Sequence, residues 1–540
     1  MSRINFSFLI GFIIFAGYPL IYWRDILYSH DEFFIINTAL SLPLNNFIAP
    51  ISYYGPSQFY LLVAVYSILS LFGITAGISP ADYIKILYAN NFESILLVSK
   101  ILSFVFFIGA ILTLLGIYNN FIRNTSYKKT TFSFLLILIT LILSPVILTI
   151  ATSVKVESFL FFLVSAFVFF YLKWRKYGEK KFLIITVIIC GIMTSAKYNM
   201  IIVLSAPIMA LIIDFKTKPL VEILKNLAVT LSLFCITFLI LTPAVIFKTS
   251  DFVKDISYIF EAVKFGHLGF EEKIGLKENI IFAFKIIFST IPWVVMLLGL
   301  AGIFFSFGKN KNENIPLAIY LGIFVLFVIK WNFKLSHYFV PAIPVIFYFI
   351  MLIAERLNTK YLIGIIILMI CVHHTNINLF ITQTKNTVKS ENRIKIKNYI
   401  SSYIPAESRI MLEDMYYYSP MLIPASSPIE YSTRSNNKPR LKLKAEYFKM
   451  LSDYGKSRKF RLTFLNVPLE GELLDSFVFP DENYLLENID YVIVSKNLSS
   501  RFRIIPADTL FFKTGNNFYF NVLNKFESKQ FGNLILYKIK

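Results

Sequence analysis

The chain has 540 residues, 56% of them hydrophobic, and its mean hydropathy of +0.64 lies outside the range of soluble globular domains, whose apolar content is roughly 45–50%. It reads as a polytopic α-helical membrane protein. The formal charge of +20 does not point to nucleic acid, because lysines and arginines fall in short clusters between apolar runs, as orientation signals do.

Residues 4–22 follow a short Arg-bearing N-terminus, lack a small-residue cleavage site and read as an uncleaved first span. Just beyond it, "HDEFFIINTAL" (30–40) sets Asp31 and Glu32 side by side. Further apolar runs occupy 57–76, 94–117, 131–150, 157–172, 182–213, 225–247, 280–305, 316–330, 337–354 and 361–376. The strongest basic loops, "RNTSYKK" (123–129) and "KWRKYGEKK" (173–181), are assigned to the cytoplasm. The segment 94–117 then runs outside to inside, which leaves 57–76 as a juxtamembrane or re-entrant helix in the first outer loop. As one helix, 182–213 would be about 48 Å long against a hydrocarbon core of about 30 Å. "SAKYN" (195–199) interrupts it, so two short spans are expected with Lys197 at their outer turn. The sum is about eleven transmembrane helices, with a cytoplasmic N-terminus and everything after 376 outside.

From 377 the chain turns polar and lysine-rich for about 160 residues, an ordinary domain size. "NRIKIKNYISSYI" reads as an amphipathic helix, and "SRIMLED", "KFRLTFL", "DYVIVSK", "FYFNVL" and "NLILYKI" read as strands. The expected organisation is a transmembrane catalytic domain over 1–376 and a soluble extracytoplasmic α/β domain over 377–540.

The charges assigned to the outer side form one set. Asp31 and Glu32 follow the first span, Lys155 and Glu157 share the tight turn "SVKVESF", and Lys197 caps the "SAKYN" turn. His267 lies in "KFGHLGF", and Lys334 and His337 open "KLSHYFVP". A carboxylate can take a proton from a hydroxyl, and a lysine, a histidine or a carboxylate-held cation can receive an anionic leaving group. Plainer readings stand beside this one: a solvated interfacial pair for Asp31 and Glu32, a structural ion pair of Glu157 with Lys155 or Lys197, and a snorkelling Lys197.

These pieces resemble the GT-C polyprenyl-phosphate-dependent glycosyltransferases, in particular the protein O-mannosyltransferase and aminoarabinose transferase branch. The matching pieces are "HDE", "YYGPSQFYLLV" (53–63), "LSPVILTIATSVKVESFLFFL" (143–163), "GIMTSAKYNMIIVL" (191–204) and "KLSHYFVPAIP" (334–344), in the family's order. The resemblance implies a GT-C-type membrane domain and a catalytic acidic set of Asp31, Glu32 and Glu157. It implies donor-phosphate contacts by Lys197, Lys334, His337 and Tyr54, with His267, Lys155 and Tyr198 as further substrate contacts. Asp31, Glu32 and Glu157 would also be the ligands of a divalent cation such as Mg²⁺ or Mn²⁺. The chain departs from the family at Tyr54-Gly55, where a charged residue and a proline are usual, and this weakens both the phosphate grip of that loop and the metal assignment.

The expected activity is transfer of a sugar, with inversion, from a polyprenyl-phosphate donor to a hydroxyl of a lipid, polysaccharide or protein acceptor outside the plasma (inner) membrane. The competing class is a transporter or flippase of lipid-linked sugars. Transporters usually show paired repeats and polar sites near the midplane, whereas here the charges gather at one face and no repeat is evident. A non-catalytic membrane scaffold is the third reading.

Overall fold

Apolar segments in lipid must satisfy their own backbone groups, and a helix does this within one segment. The computed structural model describes residues 3–22, 30–43, 46–49, 55–122, 127–215, 217–265, 275–307, 311–331, 335–389, 392–412, 422–426, 429–431, 451–456, 458–465, 480–495, 522–532 and 534–540. Among these, seven helices are long and apolar enough to cross a membrane, or up to nine if each of two bent pairs is one span. The expectation from sequence was eleven. The chain is an integral membrane protein. Ser57–Thr75, expected on the surface, also has the length and composition of a span.

Helix Val156–Tyr177 lies at the centre of the bundle, packed between Phe92–Ile117 and Lys180–Ala196. Its face toward the former is aromatic, with Phe106 on Phe159 and Phe107 on Phe161. Gly178, at φ +70°, ends it in the left-handed conformation, and its N–H donates to Trp174 O at 2.8 Å.

Two expected straight spans are bent instead. The 131–150 run forms Thr131–Ile142 and Pro145–Ala151 at 83°, and the 280–305 run forms Lys277–Thr290 and Trp293–Ser306 at 102°. Each break falls at a proline, Pro145 or Pro292, which lacks an N–H and disfavours helical geometry in the residue before it. Neighbouring side chains recapture the freed carbonyls. Ser144 Oγ donates to Thr290 O, Thr290 Oγ1 to Ser336 O at 2.9 Å, and Asn376 Nδ2 to Leu143 O at 3.1 Å. The two bends and the start of the 3₁₀-helix Ser336–Ala342 therefore meet at one polar node. The 182–213 run breaks where "SAKYN" predicts: Lys180–Ala196 ends, Lys197 is extended, and the 3₁₀-helix Tyr198–Leu204 leads into Ser205–Asp214.

The last apolar run belongs to a single helix, Thr359–Lys389. The composition change at 377 therefore falls inside a helix and not in a linker. Helix Asn392–Tyr403 follows, as expected. The strands are β1 (Arg409–Leu412), β2 (Ile423–Pro424), β3 (Ile429–Tyr431), β4 (Lys459–Leu465), β5 (Tyr491–Ser495), β6 (Glu527–Phe531) and β7 (Leu534–Lys538). They form one sheet in the order β2-β4-β1-β5-β7-β6, with β3 also on β4; β4, β1 and β5 run parallel, and β7 and β6 are antiparallel. Four of the five expected strands appear as β1, β4, β5 and β7. In the fifth, "FYFNVL", Val522 and Leu523 are helical and 518–521 lie outside the described residues.

A second hydrophobic core, apart from that of the membrane bundle, ties this sheet to the N-terminal third of the chain. Phe33, Ile36, Phe59, Tyr66 and Tyr88 share it with Ile396, Leu462, Ile493 and Leu536. Polar contacts border it: Tyr454 OH donates to Asp82 Oδ1 at 2.8 Å, Asn90 Nδ2 to Tyr454 O at 2.9 Å, and Lys456 N to Asn90 Oδ1 at 2.7 Å.

Candidate active site

Helix interruptions bring the charged residues together. After Pro145–Ala151 the chain passes through a fully buried turn, Thr152–Lys155, whose last residue is extended and N-caps helix Val156–Tyr177. Glu157 therefore sits in a first turn, where unpaired N–H groups and the helix dipole favour a carboxylate. Its side chain is 5% exposed; Lys197 Nζ lies 2.8 Å and His337 Nε2 3.8 Å from the same oxygen, Oε1. Lys197 reaches it because the junction between two helices is extended there. It is 20% exposed and lies 4.3 Å from the centre of the Tyr338 ring. His337 stacks edge-on to Tyr338 at 4.7 Å and belongs to the 3₁₀-helix whose first carbonyl Thr290 holds. The ion pair is thus oriented: the carboxylate lies beneath, and the ammonium and imidazole lie toward the more open side. Burial makes such a pair costly to break, since a lone charge left there is unscreened.

Helix His30–Ser41 joins this group from the other side. Glu32 is fully buried, and its Oε1 accepts the Val154 N–H at 2.8 Å, one residue before Lys155. Asp31 occupies the same first turn, so its backbone adjoins that anchor. The side chain of Asp31, and Tyr54, His267 and Lys334 altogether, lie outside the described residues. Tyr198 packs edge-on against Phe252 at 5.6 Å and Phe238 at 6.3 Å. Its hydroxyl, Asn199 Oδ1 and Ser205 Oγ are buried with no hydrogen-bond partner among the described residues. Of the expected site residues, then, Glu32, Glu157, Lys155, Lys197 and His337 converge. Tyr338 was missed, although it adjoins His337 in the quoted "KLSHYFVP".

Gly55 explains the departure at "YYGP". A Cβ there would lie 1.9 Å from Ser195 O and 2.5 Å from the carbonyl carbon of Ala196, the two residues before Lys197. Ser57 Oγ adds a bond to Ile192 O at 3.3 Å. The loop is pressed onto the backbone of the lysine turn, and only glycine fits. Gly55→Ala is expected to displace that turn, to cost about 1–3 kcal/mol of stability by overpacking, and to lengthen the Lys197–Glu157 contact. The thermal unfolding midpoint of the detergent-solubilised protein checks the first effect, and anion affinity the second.

Among the described residues no group of three or more His, Cys, Asp or Glu side chains is disposed to hold a metal ion. Glu32 and Glu157 are engaged by Val154 and Lys197. The third expected ligand, Asp31, has its side chain outside the described residues.

No family model and no curated protein matches the chain. Solved structures do. ArnT from Cupriavidus metallidurans in the apo state aligns with a TM-score of 0.54 at 10% identity, over 98% of this chain and 97% of that one. The same protein bound to undecaprenyl phosphate gives 0.53 at 10% identity over 98% of both chains. The fold is GT-C. An Archaeoglobus fulgidus oligosaccharyltransferase tethered with an acceptor peptide aligns at a TM-score of 0.47 and 11% identity, over 98% of this chain and 72% of that one. Within the GT-C fold of this chain, the Glu157–Lys197–His337 cluster lies at the end of helix Val156–Tyr177 opposite Arg175 and Lys176.

Proposed function

We propose that this protein is an inverting glycosyltransferase that uses a polyprenyl-phosphate sugar and acts on a hydroxyl of a lipid, polysaccharide or protein. The observation that carries the reading is the oriented cluster in which Lys197 and His337 overlie a buried Glu157, inside a GT-C fold and beside the helix bearing Asp31. In this reading Asp31 takes the acceptor proton as the acceptor oxygen bonds to the anomeric carbon. The bond from that carbon to the phosphate oxygen breaks, and the lipid phosphate leaves with the electron pair. Lys197 and His337, with Lys155 at the border, meet the charge that builds on the phosphate. Glu157 holds Lys197 in place before substrate arrives, and no step is routed through a metal. Tyr198 and Asn199, whose buried oxygens lack partners among the described residues, are available to sugar hydroxyls. The undecaprenyl phosphate bound by ArnT supports a polyprenyl donor for this fold.

The basic loops support a plasma (inner) membrane protein with its N-terminus in the cytoplasm, so that residues 377–540 form the extracytoplasmic part over the site. The flippase reading gains from the bent helices, since transporters also use discontinuous spans. Reconstitution separates the two. Purified protein in liposomes with a labelled polyprenyl-phosphate sugar and a mixed acceptor extract is expected to yield labelled acceptor and free polyprenyl phosphate in equal amounts. Label that crosses the bilayer but stays on its lipid would instead establish a carrier.

A further inference from the structure

The residue pair "DE" at 31–32 invites the assumption that both carboxylates serve the chemistry. The geometry points to a division of labour: we infer that Glu32 is a positioning residue that never touches substrate, and that its work is done through the backbone N–H of Val154. This rests on the glycosyltransferase reading for its consequence, though not for its geometry.

Glu32 has no exposed surface, and neither has Val154. The turn that carries Val154 is buried throughout, from Ala151 to Val156. A backbone N–H in such a place must have an acceptor, because its lost hydration is otherwise uncompensated. The turn supplies only part of what it needs: Lys155 N donates to Ser153 O at 2.9 Å, and Ser153 N and Thr152 N donate to Ile150 O and Thr149 O. The Val154 N–H goes to a side chain 122 positions away, at 2.8 Å. This bond joins two segments far apart in sequence, the first turn of helix His30–Ser41 and the turn that presents Lys155 and Glu157. Helix His30–Ser41 is fixed again near its middle, where Tyr88 OH donates to Asn37 Oδ1. With both points held, the residue before Glu32 cannot move along or around the helix relative to Glu157. Asp31 is that residue. Glu32 thereby sets where the proposed base stands with respect to the proposed phosphate grip.

The bond needs an acceptor oxygen and not a titrating carboxyl, which makes the role separable from acid–base chemistry. In Glu32→Gln the amide oxygen can accept from Val154; in Glu32→Ala nothing can. With the full-length protein in liposomes, Glu32→Gln is expected to keep kcat within about threefold of wild type and to leave the pH profile of kcat unmoved. Glu32→Ala is expected to lose about 30-fold or more in kcat. Hydrogen exchange followed by mass spectrometry gives a readout that needs no turnover: the Val154 amide should exchange at least about tenfold faster in Glu32→Ala and at the wild-type rate in Glu32→Gln. If the Ala variant fails to fold, the Gln variant still decides. A Gln variant as inactive as Asp31→Asn, or one whose pH profile loses a limb, overturns the inference, as does a Val154 amide that exchanges at the wild-type rate in folded Glu32→Ala. A wild-type protein that transfers no sugar sinks the glycosyltransferase reading, whereas the exchange rates still judge the anchor.

Discussion

Asp31→Asn lowers kcat for sugar transfer by roughly 10²–10⁴-fold, the span attributed to a positioned general base, and leaves the thermal midpoint within the small change expected of a first-turn charge, about 0.3–1 kcal/mol. The expectation follows from where the described carboxylates are. Glu157 is engaged by Lys197 at 2.8 Å beneath the cluster, and Glu32 is sealed behind the Val154 N–H. Asp31 lies in the same helix turn as Glu32, and the proposed reading gives it the acceptor proton. A proton acceptor must be within hydrogen-bond reach of the acceptor hydroxyl, and Glu32 and Glu157 are both engaged elsewhere. Glu157→Gln acts differently: it removes the counter-charge from Lys197, so weaker donor binding and a raised KM are expected before any loss of kcat. Kinetics of both variants with a labelled donor test the assignment. An Asp31→Asn enzyme with wild-type kcat would falsify it.

Removing everything after Lys389 abolishes activity and does more than alter acceptor choice. The sheet is not a separate module on a tether, because its strands share a core with the helices of the first third of the chain. Ile396, Leu462, Ile493 and Leu536 pack with Phe33, Ile36, Phe59 and Tyr88. Each such side chain stripped of its partners forfeits up to about 1.5–3 kcal/mol, and a handful of them matches the whole 5–15 kcal/mol by which a typical domain is stable. Helix His30–Ser41, which carries Asp31 and Glu32, is among the elements uncovered. The truncated protein is expected to lose transfer altogether, and limited proteolysis should cut within residues 30–90. Retained transfer with a changed acceptor range would show the two parts to be independent.

The sequence foretold features that are local and missed those that come from partners far along the chain. "SAKYN" announced the break at Lys197 because a lysine and an asparagine interrupt an apolar run too long for one span. The charges around Glu157 and Lys197 were readable for the same reason, and their pairing was one of the alternatives weighed. The bends at Ser144 and Ile291 were not readable as sharp turns. A proline within a membrane helix can give a mild kink or a right angle, and the outcome depends on whether a neighbour such as Ser144 or Asn376 takes up a carbonyl at the break. β6, "ESKQF", escaped notice because it is a largely exposed edge strand without apolar alternation. In "FYFNVL" the two described residues, Val522 and Leu523, are helical although β-branched and aromatic neighbours suit a strand. Gly55 seemed only a lost proline until its contact with Ser195 and Ala196 gave it a steric reason, and Glu32 meets a partner 122 residues distant.

The length of helix Thr359–Lys389 has a mechanical consequence. Its 31 residues span about 46 Å, whereas the hydrocarbon of a bilayer takes up about 30 Å. The turns beyond the candidate span Thr359–Thr382 act as a stalk leading to helix Asn392–Tyr403. Such a stalk works as a ruler and a dial at once: each residue adds about 1.5 Å of height and about 100° of rotation. The segment before β4 that carries Tyr454 meets Asp82 and Asn90 at one phase of that dial. Lineages descended from this chain can therefore lengthen its loops freely, but the stalk tolerates changes only in steps that restore the phase.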